Sequence, residues 1–150
     1  MSIEIIDMER LSTRHKEALS WFVKNKQTDL VWPIAMPNGD LVACKAKGTY
    51  KPAWLNYALS IRKALISEHP DDEPSGNPRS EWSLKYFQEG LKIDDRDRYY
   101  TNRALMACLK DKVPVGVLIQ VSAKPDSRYR VYGLGEVISW RGGYFFIRGI

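Results

Sequence analysis

Two stretches carry residue types suited to chemistry, and in both the chemistry is recognition rather than bond cleavage. In the first, Lys45, Lys47 and Lys51 alternate with Tyr50 and Trp54 around the turn Lys47-Gly48-Thr49-Tyr50-Lys51-Pro52. Ammonium groups suit phosphates and aromatic rings suit bases, so this spacing fits a groove for a nucleic-acid strand; it fits a solvated loop equally well. In the second, the polar run from Glu68 to Arg79 contains His69-Pro70-Asp71-Asp72 and leads into Trp82-Ser83-Leu84-Lys85-Tyr86-Phe87. A long polar loop in a compact domain is often functional. A reader that flips a base out of a duplex loses stacking energy. It regains about 1–3 kcal/mol per base on an aromatic face, and it needs an acceptor for the amino edge of cytosine. Asp71 or Asp72 supplies the acceptor, and Tyr86 or Trp82 the ring. The same aspartates also serve as turn formers, and Trp82 reads more readily as a core residue of its strand. Arg128, Arg130, Arg141 and Arg148 are candidate phosphate contacts, which position a duplex without reading it.

Catalytic signatures are missing. No Asp or Glu is followed two positions later by Lys, as a restriction-type nuclease centre requires. Neither a GxxxxGK[ST] loop nor GxGxxG occurs, and nothing marks a Ser-His-Asp triad. The 2 histidines, His15 and His69, and the 2 cysteines, Cys44 and Cys108, lack zinc-ligand spacing, so neither a metal nor another cofactor is expected. The cysteines sit in apolar runs and read as reduced, buried thiols.

Length and composition bound the rest. The 150 residues suit a single domain, with 1–28 as an N-terminal helical extension, and 44% hydrophobic content suits a packed core. Lys and Arg number 23 against 18 acids, a net charge of +5 that favours an anionic partner. No run approaches the ~20 apolar residues of a membrane span, and the N-terminus lacks a signal-peptide pattern, so a cytoplasmic setting without membrane contact is expected.

The elements that must position these residues follow from periodicity. Ser12-Thr13 caps a helix to about Asn25. Leu30–Ile34 and Leu41–Ala46 flank the turn signal Pro37-Asn38-Gly39-Asp40 and read as a hairpin. Trp54–Leu65 mixes helical and alternating spacing and reads as a short helix passing into a strand. After the strand Trp82–Phe87 and the turn Gln88-Glu89-Gly90, the acids Asp94, Asp95 and Asp97 cap a helix that begins at Tyr99. Three strands follow, Pro114–Val121, Arg128–Trp140 and Tyr144–Ile147, the last two joined at Gly142-Gly143.

This closing order carries a likeness. Thr101-Asn102-Arg103-Ala104-Leu105, then Pro114-Val115-Gly116-Val117, then Arg128-Tyr129 with Gly133-Leu134, Val137 and Trp140, and a final apolar strand, resembles the closing half of SRA domains, which read modified cytosine in DNA. The likeness covers roughly residues 40 to 150, and only Thr101–Leu105 is nearly word for word. Gly48–Pro52 resembles an earlier turn of the family, His69–Asp72 stands where its pocket loop stands, and Trp82–Gly90 where its pocket strand stands. Gly116 and Gln120 replace family arginines, and the segment between Gly90 and Tyr99 is short. The pattern looks like the divergent SRA-like modules of bacterial modification-dependent (type IV) restriction endonucleases.

The resemblance implies an α+β fold with a curved mixed β-sheet or β-barrel of PUA/SRA type and flanking helices. It implies a pocket in which Asp72, with Asp71 as competitor, takes the cytosine edge. Tyr86 stacks on the base, with Trp82 or Leu84 as competitors, and His69 replaces a second stacking tyrosine. DNA contacts are expected from Lys47, Tyr50, Lys51, Arg79, Asn102, Arg128, Arg130 and Arg141, although Asn102 also suits a brace at the helix start. The expected partners are double-stranded DNA with a modified base and a separate nuclease domain or subunit, in a bacterial nucleoid. The alternative partner is RNA, read by a PUA-like domain.

Overall fold

The computed structural model describes residues 8–64, 74–77, 81–123 and 125–150. After a 3-10 turn at Met8–Arg10, helix α1 spans Thr13–Lys24. Its start is fixed as expected: the Ser12 hydroxyl accepts from the His15 amide at 3.1 Å. His15, Ala18, Leu19 and Phe22 recur at helical spacing and form its buried face.

The strands are β1 (Asp29–Leu30), β2 (Thr49–Tyr50), β3 (Ser60–Lys63), β4 (Ser75–Gly76), β5 (Trp82–Phe87), β6 (Val115–Ser122), β7 (Arg128–Arg141) and β8 (Tyr144–Gly149). Two helices lie between β5 and β6: α2 (Asp95–Arg98) and α3 (Tyr100–Asp111). The strands form one mixed sheet in the order β2-β3-β6-β7-β8-β5-β4, with β1 also paired to β7. Only β3 and β6 run parallel; the other pairs are antiparallel. The protein is therefore α+β.

Strand β7 is the spine. Its first half pairs with β6 and β1 and its second half with β8, the exchange falling at Gly135, which faces both Val115 and Gly149. Helix α3 covers one face: Ala104, Leu105 and Cys108 meet Val115, Val117, Val137, Phe145 and Ile147. On the other face Phe22 of α1 packs with Val42, Leu118 and Val131. Gly116, in a place where the resembled family carries arginine, is explained by this layer. A Cβ there would overlap the Phe22 ring.

Four expectations are corrected. The sheet is not closed into a barrel by main-chain pairing; β2 and β4 are its ends. The hairpin around Pro37–Asp40 shrinks to a single bridge, Ala35 to Leu41, because Asp29 and Leu30 pair instead with Arg130 and Tyr129 of β7. No helix forms between Trp54 and Leu59. Only seven residues separate Pro52 from β3, too few for a stable helix, and turns suffice to bury Leu55 and Leu59 against α1. The acids at 94–97 do not cap the long helix: Asp95 begins the separate short α2, and α3 starts from Tyr99 without a side-chain cap.

Candidate nucleic-acid interface

Side chains join β2, one end of the sheet, to β5, the strand next to the other end. The Tyr86 hydroxyl of β5 lies 2.9 Å from the Thr49 hydroxyl of β2. Burial pushes the Tyr86 phenol up to about 12, although the Thr49 hydrogen bond opposes this. Gly48 must be glycine here, since a Cβ would overlap the Tyr86 oxygen. Beside this contact Lys47 Nζ reaches Glu89 Oε2 at 2.6 Å, and Thr101 donates to Glu89 Oε1 at 2.5 Å. Burial opposes ionisation of Glu89, but the Lys47 and Thr101 bonds outweigh it and hold the carboxyl below its ordinary value. The same bond raises Lys47. The Lys47 ammonium also lies 5.3 Å from the centre of the Tyr100 ring. The seam thus gathers Lys47, Gly48 and Thr49 at the start of β2, the end of β5 with Glu89, and the start of α3.

The other expected residues distribute unevenly. Tyr50 follows Thr49 and points to the opposite face of β2, where it lines a cavity of about 360 Å³ together with Trp32 and Lys45. Lys51 Nζ approaches the Pro52 carbonyl at 3.4 Å. Asn102 is buried and spends its amide on the main chain: it accepts from the Glu89 amide and donates to the Glu89 and Asp95 carbonyls. It is the brace of the 88–95 turn. Arg130 is committed to Asp29 through two bonds of 2.7 and 3.1 Å. Arg141 is exposed and lies over Phe146 at 5.3 Å, and Arg128 is exposed. Trp82 sits in the core, 3% exposed and edge-on to Tyr132, with Gly149 against its indole; a base could stack on it only after that packing was broken. His69, Asp71, Asp72 and Arg79 lie outside the described residues.

Two features near the seam are not evident from the sequence. The first is Arg62 of β3. Its guanidinium donates to the carbonyls of Lys45 (3.0 Å), Cys44 (3.2 Å) and Lys47 (3.3 Å). It also lies over the rings of Trp32 and Tyr129 at 5.4 and 5.5 Å. A cation thereby pins the backbone from which Lys45 and Lys47 project. The available signal was an arginine directly after the apolar run Ala58–Ile61, where a charge that stays in the strand needs partners. The second is the surface of 91–100, where Leu91 (82%), Ile93, Tyr99 and Tyr100 are exposed among Lys92, Arg96 and Arg98. Arg96 is held over Trp140 at 4.7 Å.

Among the described residues, no group of three His, Cys, Asp or Glu stands close enough to hold a metal ion, and no helix is long and apolar enough to cross a membrane. Cys108 is buried, which pushes its thiol up to about 12, and burial lowers His15 to about 4. Compared with protein-family models, curated proteins and solved structures, the chain shows no match.

Proposed function

We propose that this chain is an SRA-like reader: it binds double-stranded DNA carrying a modified base and accepts that base, a modified cytosine, after extrusion from the helix. It performs no cleavage itself, and serves as the specificity module for a nuclease domain or subunit of a bacterial modification-dependent restriction system. The observation that carries the reading is the seam. Residues widely separated in sequence, Lys47 and Thr49 of the basic segment and Tyr86 and Glu89 at the end of β5, are brought together, so that a half-buried ring stands in the same seam as the Lys47 ammonium. The motif Thr101–Leu105 supports the same reading, because its Thr101 and Asn102 hold Glu89 at this seam. In this reading the fold is a PUA/SRA-type sheet in which side chains join β2 to β5.

The second reading is a PUA-like domain for RNA. The exposed rings of Tyr99 and Tyr100 among cations favour it, since single strands are held by stacking on such platforms. Competitive binding at fixed moderate salt separates the two. The probes are one duplex in unmodified, 5-methylated, 5-hydroxymethylated, glucosylated and N6-methyladenine forms, with a matched RNA. Preference for one modified duplex sustains the DNA reading; preference for the RNA replaces it with the second; equal weak binding to all removes both.

A further inference from the structure

The cavity on the far face of β2 has no role in the seam. Thr49 faces Tyr86, so the next residue, Tyr50, faces away from it. Ser60 and Arg62, on the same side of β3 as Tyr50, hold the wall of this cavity. Ser60 donates to the Val42 carbonyl at 2.6 Å, and Arg62 donates to the Cys44 and Lys45 carbonyls. The lining brings together Trp32, Tyr50, Leu41, Ala43, Cys44 and Lys45, which span nineteen positions of sequence without a shared strand. Its volume of about 360 Å³ is at the small end of small-molecule sites, which run from roughly 300 to 1,000 Å³. Two aromatic residues and an apolar floor suit a flat ring. Lys45, exposed at the rim on a backbone that Arg62 pins, suits one anionic substituent beside that ring.

We infer that this cavity is a separate binding site for a nucleotide unit, a planar heteroaromatic base with its phosphate, the base lying against Trp32 and Tyr50 and the phosphate meeting Lys45. The unit has two sources, a free mononucleotide or a nucleotide of a bound strand. The inference stands without the reading of the seam given above.

Cys44 supplies the readout, because it lines the cavity while Cys108 is fully buried. The full chain is alkylated with iodoacetamide and the rate at Cys44 is followed by mass spectrometry. Cytidine or adenosine 5′-monophosphate is expected to slow the reaction about tenfold at ten times its Kd, whereas ribose 5-phosphate and inorganic phosphate leave it unchanged. Lys45→Gln should raise the monophosphate concentration required by up to about fivefold, the worth of one exposed ion pair, and leave that of cytidine unaltered. Trp32→Leu should abolish protection. If Trp32→Leu fails to fold, Lys45→Gln decides, since its side chain is exposed. Protection by a modified duplex alone, lost in the Trp32 or Lys45 variant, assigns the cavity to a nucleotide of the bound strand. Protection by mononucleotides in a chain that binds no DNA keeps the cavity and removes the DNA reading. The proposal is overturned if neither mononucleotides nor duplex protect Cys44, or if ribose 5-phosphate protects equally.

Discussion

The hydroxyls of Thr49 and Tyr86, 37 residues apart in sequence, stand 2.9 Å from one another and join β2, at one end of an eight-stranded sheet, to β5, next to the other end. Thr49 is only 6% exposed, so its hydroxyl has little water to turn to. Tyr86→Phe is expected to destabilise the protein by about 1–3 kcal/mol, the cost of a buried polar group left unpaired. Adding Thr49→Val should recover part of that loss. Urea denaturation of the wild type, both single variants and the double variant checks this; strictly additive effects would show that the contact is not an energetic fastening.

The same tyrosine separates structure from recognition. Tyr86→Phe keeps the ring and should keep preference for a modified duplex. Tyr86→Leu removes the aromatic face and should lower that preference about tenfold or more, the equivalent of 1–3 kcal/mol of stacking. Asp72→Ala should likewise abolish discrimination while weak nonspecific binding survives. Full discrimination retained by Tyr86→Leu and Asp72→Ala would exclude this pocket.

Glu89 gives the seam a dependence on acid. Its carboxyl is held below the ordinary 4.5 by bonds from Lys47 and Thr101 that outweigh burial. A carboxyl with a depressed folded value stabilises the fold above 4.5, and that contribution is lost as pH falls through the folded value. Glu89→Gln should therefore be less stable than the wild type at neutral pH, with the difference closing in acid. Thermal melts of both proteins from pH 7 downward test this; a pH-independent gap would contradict it.

His15 acts in a higher window. Burial lowers it from 6.5 to about 4, so between those values the unfolded chain binds a proton that the folded chain refuses. Stability should fall as pH drops from 6.5 towards 4, by up to about 3 kcal/mol. His15→Phe, which retains a ring beside Tyr57, should flatten that slope. Chemical denaturation at several pH values measures it directly.

Gly116 provides a packing test. With Phe22 against its Cα, Gly116→Ala forces an overlap in the layer between α1 and β6. A loss of about 1–3 kcal/mol is expected. Combining it with Phe22→Leu should cost less than the sum of the two changes; simple additivity would mean that the two residues do not compete for this space.

Much of this architecture was legible because its signals are local. The cap at Ser12, the apolar spacing of α1 and the apolar, strand-like runs of β5 to β8 each concern neighbours within a few positions. The seam was not, since nothing near Thr49 indicates that its partner is Tyr86. The hairpin expected of Leu30–Ile34 and Leu41–Ala46 fails for the same reason: a turn signal between two apolar runs suggests pairing with each other, yet Asp29 and Leu30 find β7 a hundred positions away. Lys47 and Tyr50 read as neighbours on one turn, but Tyr50 belongs to strand β2 and the two face different surfaces, one Glu89 and the other Trp32. The partners of Arg62 give no sign in the sequence because they are main-chain carbonyls, which composition does not reveal.

The parallel pairing of β3 with β6, and the place of β7 at the centre, bear on how the chain is made. Only β2–β3 and β4–β5 join strands close in sequence on the early part of the sheet; β1, β3 and β5 all wait for β6 to β8. On a ribosome, the first hundred residues therefore emerge with a helix and isolated hairpins but without the strands that unite them. Folding becomes a late event, completed when Arg128–Gly149 clears the exit tunnel. Until then Leu19 can meet Leu55 and Leu59, but Phe22 lacks its late partners Leu118 and Val131.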